Sequence, residues 1–180
     1  METVTVNRRA LSLLELHDAS RVLEVGSGHG RTLARVAELA PQGFVAGVDI
    51  SPAMVQMATR YNRHSLARNL VEVKRASSDH IPYPDESFDR VFAVHTLYFW
   101  YDPLAHLREI HRVIRVGGRF VLAFGPKEDK NAVASFPGSV YHFYSMSETL
   151  DFLTKAGFND IRMVRETIAA RDTVFAVSNR

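Results

Sequence analysis

Hydrophobic positions along this chain alternate between short runs rich in Val, Ile, Leu and Phe and longer stretches with an apolar residue every three or four positions. The runs Arg21–Val25, Phe44–Val48, Leu70–Val73, Asp89–Val94 and Phe120–Phe124 predict five buried strands. Helical spacing separates them: Leu33, Val36, Ala37 and Ala40, stopped by Pro41; Met54, Met57, Ala58 and Tyr61; and Leu104, Leu107, Ile110 and Ile114. Leu11, Leu14 and Leu16 predict a weak leading helix. Ser51-Pro52 and Asp102-Pro103 mark helix starts, because a side-chain oxygen caps orphan N–H groups and a proline at the first helical position has no N–H to orphan. Gly117-Gly118 reads as the end of the third long helix.

Beyond Phe124 the pattern loosens. Residues 125–144 are charged at first and then aromatic, and read as an irregular loop able to act as a mobile lid. Ser145-Met146-Ser147-Glu148 is a capping box, and Gly157 closes the helix it opens. Ile161–Val164 and Thr173–Val177 predict two closing strands, too close in sequence for a crossover and hence antiparallel. Strands separated by helices predict an α/β fold, an open and mostly parallel sheet covered on both faces. No repeat or linker divides the chain, so residues 1–180 are expected to form a single domain.

Composition narrows the chemistry. The 180 residues are 46% hydrophobic and 23% charged, which excludes disorder and low-complexity architectures. With no cysteine, thiolate metal sites, disulfides and a cysteine nucleophile are excluded. Net charge is +2 and the basic residues are scattered, so no nucleic-acid partner is expected. No apolar run reaches the ~18 residues of a membrane span. The opening residues lack the basic-then-apolar order of a signal peptide, so a cytoplasmic protein is expected.

In open α/β sheets, ligands bind beyond the carboxyl ends of the strands. The first such loop is Glu24-Val25-Gly26-Ser27-Gly28-His29-Gly30, where glycines at alternate positions let a ligand lie against bare backbone. A dinucleotide fingerprint would need a glycine where Arg31 stands, and no phosphate-cradling P-loop occurs. Asp49 ends the second strand, where a carboxylate can accept hydrogen bonds from two vicinal ribose hydroxyls. Together the two loops point to a nucleoside.

The segments VLEVGSGHG, GVDISPAMV, IPYPDESFDRV and REIHRVIRVGGRFVL resemble, in order, the successive motifs of class I S-adenosylmethionine-dependent methyltransferases, and within them the type 11 methyltransferase domain. The resemblance covers roughly residues 7–125 and implies a Rossmann-like, doubly wound, seven-stranded sheet with an antiparallel C-terminal strand. It implies S-adenosylmethionine as cofactor. Glu24 would help hold the methionine amino group, Gly26, Gly28 and Gly30 would form the backbone wall, and Asp49 would take the ribose. Ile50 and Met54 would flank the adenine, with Ser77 and Ser78 at its edge. The commoner pattern has an aspartate where Ser77 stands, so either Ser77 makes the adenine contact or Asp79 reaches in. His95 would face the methyl group.

Methyl transfer from a sulfonium is an in-line displacement that asks mainly for alignment and exclusion of water. Where the acceptor needs a general base, His95 and His142 are the candidates. Two aromatic clusters, residues 98–101 and 136–144, would roof an apolar cavity suited to a hydrophobic or aromatic small-molecule acceptor, with Phe99 and Phe143 expected in the ordinary core. The amino-methylation signature of nucleic-acid enzymes is missing, and no metal site is expected: His106 and His111, five apart, fall on different helix faces. The chain is expected to be a monomer or homodimer. A non-catalytic S-adenosylmethionine-binding scaffold and, more remotely, a nicotinamide-dependent oxidoreductase remain as alternatives.

Overall fold

The computed structural model describes residues 2–180. Helix α1 (Glu2–Leu14) leads into β1 (Arg21–Val25), α2 (Arg31–Leu39), β2 (Phe44–Asp49), α3 (Pro52–Tyr61), α4 (Arg63–Ala67) and β3 (Val71–Arg75). Then come β4 (Phe88–Val94), α5 (Pro103–Val113), β5 (Ile114–Phe124), α6 (Lys130–Ala134), α7 (Met146–Lys155), β6 (Asn159–Ile168) and β7 (Arg171–Asn179). They build a seven-stranded sheet ordered β3-β2-β1-β4-β5-β7-β6, with β7 antiparallel to both its neighbours and the other pairings parallel.

Alternation along the strands decides which helices cover which face. Leu23, Val25, Val91, Ala93, Phe120 and Leu122 point into a core closed by Leu107, Ile110 and Val113 of α5 and Leu153 of α7. Their neighbours Val22, Phe92, Val121 and Ala123 point the other way, onto α1 and α2, meeting Val6, Ala10, Leu14, Leu33 and Val36. Successive side chains face opposite sides, so neighbours enter different cores and the central strands are buried almost continuously. The helix starts behave as the sequence predicts: the Met54 N–H donates to Ser51 Oγ at 3.4 Å and the Ala105 N–H to Asp102 Oδ1 at 3.2 Å. The capping box at Ser145 and Glu148 forms in both directions.

Four details depart from the sequence reading. Helix α1 starts earlier than Leu11 and buries Val6 and Ala10, an apolar stripe interrupted by Asn7, Arg8 and Arg9; Leu16 lies past its end. On α3, Ala58 is buried, but Met57 and Tyr61 are exposed, because that helix rests on the sheet edge along a narrow line. Helix α5 ends at Val113, not at the glycines: Ile114 is drawn into pairing with Phe88, and Gly117, at φ 74°, lies inside β5 where the register against β4 shifts. The closing strands extend beyond the predicted runs on both sides, since their ends pair with each other.

Candidate functional site

The carboxyl ends of β1 to β4 line a cavity of about 400 Å³. Gly26 comes from the loop after β1, Asp49 and Ile50 from the end of β2, Ser77 and Ser78 from the loop after β3, and His95 and Thr96 from the loop after β4. Gly26 has φ 74°, and a Cβ there would collide with the Thr96 side chain, so this wall must be bare backbone. Gly30, at φ 78°, precedes α2 against Ala58, and the buried Asn62 donates to its carbonyl at 2.9 Å, tying the loop to α3.

Asp49 is fixed before any ligand arrives. Oδ2 accepts the Gly28 N–H at 2.8 Å and Oδ1 accepts the Ser51 N–H at 2.9 Å. A carboxylate has about four acceptor positions, so two remain for a diol. Beneath the loop, Glu24 is buried at 4% exposure, with Oε2 unpartnered among the described residues. Burial pushes its carboxyl well above the usual range; a hydrogen bond with Thr32 opposes this, and the Asp49 charge adds to it. An orphaned buried carboxyl oxygen is an acceptor in need of a donor.

A second cavity, about 230 Å³, adjoins the first. Tyr98, Phe99, Phe136, Tyr141 and Phe143 line it, and His95 and Phe99 belong to both linings. His95 takes a left-handed backbone conformation, φ 56°, uncommon for a residue with a side chain and found where strain serves a site. Its N–H donates to the Ala123 carbonyl at 2.9 Å, and its Nδ1 stands 3.1 Å from Tyr98 Oη.

The family model described as a methyltransferase domain matches residues 23–122, more than half of the chain. The chain belongs to the class I S-adenosylmethionine-dependent methyltransferases. This methyltransferase is 29% identical, over 87% of its length, to 2-methyl-6-phytyl-1,4-hydroquinone methyltransferase 1 of Oryza sativa subsp. japonica, of which it covers 46%. It is also 29% identical, over 86% of its length, to 27-O-demethylrifamycin SV methyltransferase of Amycolatopsis mediterranei, of which it covers 60%. The chain thus spans about half the length of these curated relatives. A solved S-adenosylmethionine-dependent methyltransferase from Aquifex aeolicus superposes with TM-score 0.76 at 26% identity, covering 95% of this chain and 88% of that one. No helix among the described residues is long and apolar enough to cross a membrane.

Of the residues singled out from the methyltransferase's sequence, Gly26, Asp49, Ile50, Ser77, Ser78 and His95 share the lining of the first cavity. Glu24, Gly28 and Gly30 support it from the loop and below. Met54, half-buried on α3, is outside the lining, as is Asp79, whose exposed carboxyl is held below its ordinary range chiefly by a hydrogen bond with Ser77. His142 lines neither cavity; its ring lies 4.5 Å from that of Tyr101, and its N–H donates to the Tyr98 carbonyl at 2.9 Å. Phe99 and Phe143, expected in the core, are cavity walls instead, because the loop carrying Phe136 and Tyr141 leaves space between its rings and the sheet. Thr96, Trp100 and His106 also line the first cavity, and the sequence reading assigned none of them to it. Trp100 was visible within an aromatic cluster, but nothing local tells that α5 turns His106 toward the loop after β3.

Proposed function

We propose that this chain methylates a small hydrophobic or aromatic molecule held in the second cavity, with the donor in the first. The observation that carries the proposal is the sharing of His95 and Phe99 between the two linings. When bound, S-adenosylmethionine supplies a methyl group on a positively charged sulfur, already activated for displacement. The residues fit such a donor: Glu24 Oε2 is an acceptor awaiting an ammonium, Asp49 holds two acceptor positions for the ribose, and Gly26 permits close approach.

The protein's remaining task is alignment. Five rings around the second cavity exclude water and orient a flat or apolar acceptor, and their π-faces suit a nearby positive charge. His95 is the titratable side chain common to both cavities, and it takes the proton when the acceptor atom is oxygen or nitrogen. The names of the two relatives, a hydroquinone and a rifamycin methyltransferase, accord with ring-bearing acceptors.

Calorimetric titration with S-adenosylhomocysteine, beside NADH and with Asp49→Ala as control, tests the donor site. Micromolar binding that is lost in the variant and absent for NADH supports the proposal. A folded protein that binds neither nucleotide leaves shared ancestry alone. A panel of phenols, hydroquinones and aliphatic amines with labelled donor then tests the acceptor class; turnover confined to the aliphatic amines would refute an aromatic-lined acceptor site.

A further inference from the structure

With Asp49 assigned to the ribose and His95 to the methyl group, the rest of the first cavity is left for the purine, and the chemistry there is sparse. Apart from Thr96, which packs on Gly26, and the Trp100 indole, its polar side chains are Ser77, Ser78 and His106. Two are already engaged: Ser77 bonds to the Asp79 carboxyl, and Ser78 Oγ lies 2.7 Å from His106 Nδ1. His106 Nε2 has no hydrogen-bond partner among the described residues, although the ring lines the cavity. The imidazole is also held in plane: it stacks on Trp100, with centroids 4.9 Å apart and planes 8° from parallel. Trp100 itself is buried at 4% exposure. The pair is thus a flat platform on a fixed support, and His106 Nε2 is the acceptor it offers.

We propose that His106 reads the amino edge of the donor's adenine, with Ser78 and Trp100 as its positioning residues. The proposal rests on the donor assignment above. When Nδ1–H donates to Ser78 Oγ, Nε2 carries a lone pair, and a lone pair accepts from the exocyclic amino group of adenine but not from the exocyclic oxygen of a 6-oxo purine. Burial holds the imidazole below its ordinary pKa, which keeps that lone pair available near neutral pH. Ser78→Ala would free the tautomer, weakening selectivity without removing the acceptor.

Binding of S-adenosylhomocysteine is compared with that of its 6-deamino and 6-oxo purine analogues, for the wild type, His106→Leu, His106→Gln and Ser78→Ala. The wild type is expected to prefer the amino compound by about tenfold or more, the value of one well-placed hydrogen bond. His106→Leu brings the amino and deamino compounds within about twofold of each other, while His106→Gln, whose amide oxygen can accept, keeps part of the preference. A wild type that binds the amino and deamino compounds equally, or a His106→Leu variant that keeps the preference, overturns the assignment while leaving the donor site intact. A wild type that binds none of the three overturns the donor assignment itself. Thermal melting of the unliganded variants separates lost selectivity from lost folding.

Discussion

Asp49 and Gly28, 21 residues apart, are joined by a hydrogen bond of 2.8 Å from the Gly28 N–H to Oδ2. The bond closes the glycine loop onto the end of β2 and orients the carboxylate whose other oxygen takes the Ser51 N–H. Loop shape and ligand acceptor are therefore one unit. Asp49→Asn must set an amide NH₂ against one of two N–H donors. The variant is expected to lose about 1–3 kcal/mol of stability and at least tenfold in S-adenosylhomocysteine affinity, read by denaturant unfolding and calorimetry. Unchanged affinity would remove Asp49 from the site.

Glu24 ties the stability of the fold to pH. Its folded pKa is raised, first by burial, so the folded state binds the proton more tightly than the unfolded chain does. Stability from this group is full below the unfolded value of about 4.3 and declines as pH climbs from there toward the folded value. Glu24→Gln removes the decline. The unliganded variant should melt above wild type at pH 7 and match it below about pH 4. It should also gain less stability from S-adenosylhomocysteine, having lost the charge that meets the ammonium. A variant that melts lower at pH 7 would count against the assigned cost of burial.

Glycines in the first loop separate backbone strain from steric clash. Gly28 has φ 52° but open space around its Cβ position, so Gly28→Ala should cost only the left-handed penalty, about 1–2 kcal/mol. Gly30→Ala adds contacts of 2.7 Å to Ala58 Cβ and 2.8 Å to Ala58 Cα, and should cost about 1–3 kcal/mol more by overpacking. Unfolding curves that rank the two variants in the opposite order would contradict the packing of α3 on this loop.

Tyr98 links His95, the proposed base, to the aromatic wall. Its hydroxyl accepts the Gly125 N–H and faces His95 Nδ1, while its ring lines the second cavity. Tyr98→Phe keeps the wall and leaves the Gly125 N–H unsatisfied, a loss of about 1–3 kcal/mol in stability. Donor affinity should hold, turnover should fall by about tenfold or more, and the pH dependence of turnover should move as His95 loses its neighbour. An unaltered pH profile would detach Tyr98 from His95.

Motif-bearing segments were legible because their function is local. The alternate glycines and the Ser51 cap each act within a few residues, through backbone conformation and short hydrogen bonds that a linear pattern preserves, and Asp49 is marked by its place at a strand end. Continuous apolar runs separated by helical spacing likewise announced a sheet covered on both faces. Where the signal failed, the deciding partner was far along the chain. Gly117 looked like a helix stop, yet Phe88, from another strand, pulled Ile114 out of the helix first. Phe99 and Phe143 looked like core, yet rings more than 40 residues apart in the chain pack so as to line a cavity.

The sequence by itself determined the order of the main elements, the strand ends whose residues line the first cavity, and the family to which those residues point. Tertiary structure alone decided that His95 stands between two cavities, that His142 lines neither, and that His106 meets Ser78 across 28 residues. Local preferences act through a residue's own dihedrals and near neighbours. Which distant side chains share a cavity depends on how several elements pack at once, and no single segment carries that information.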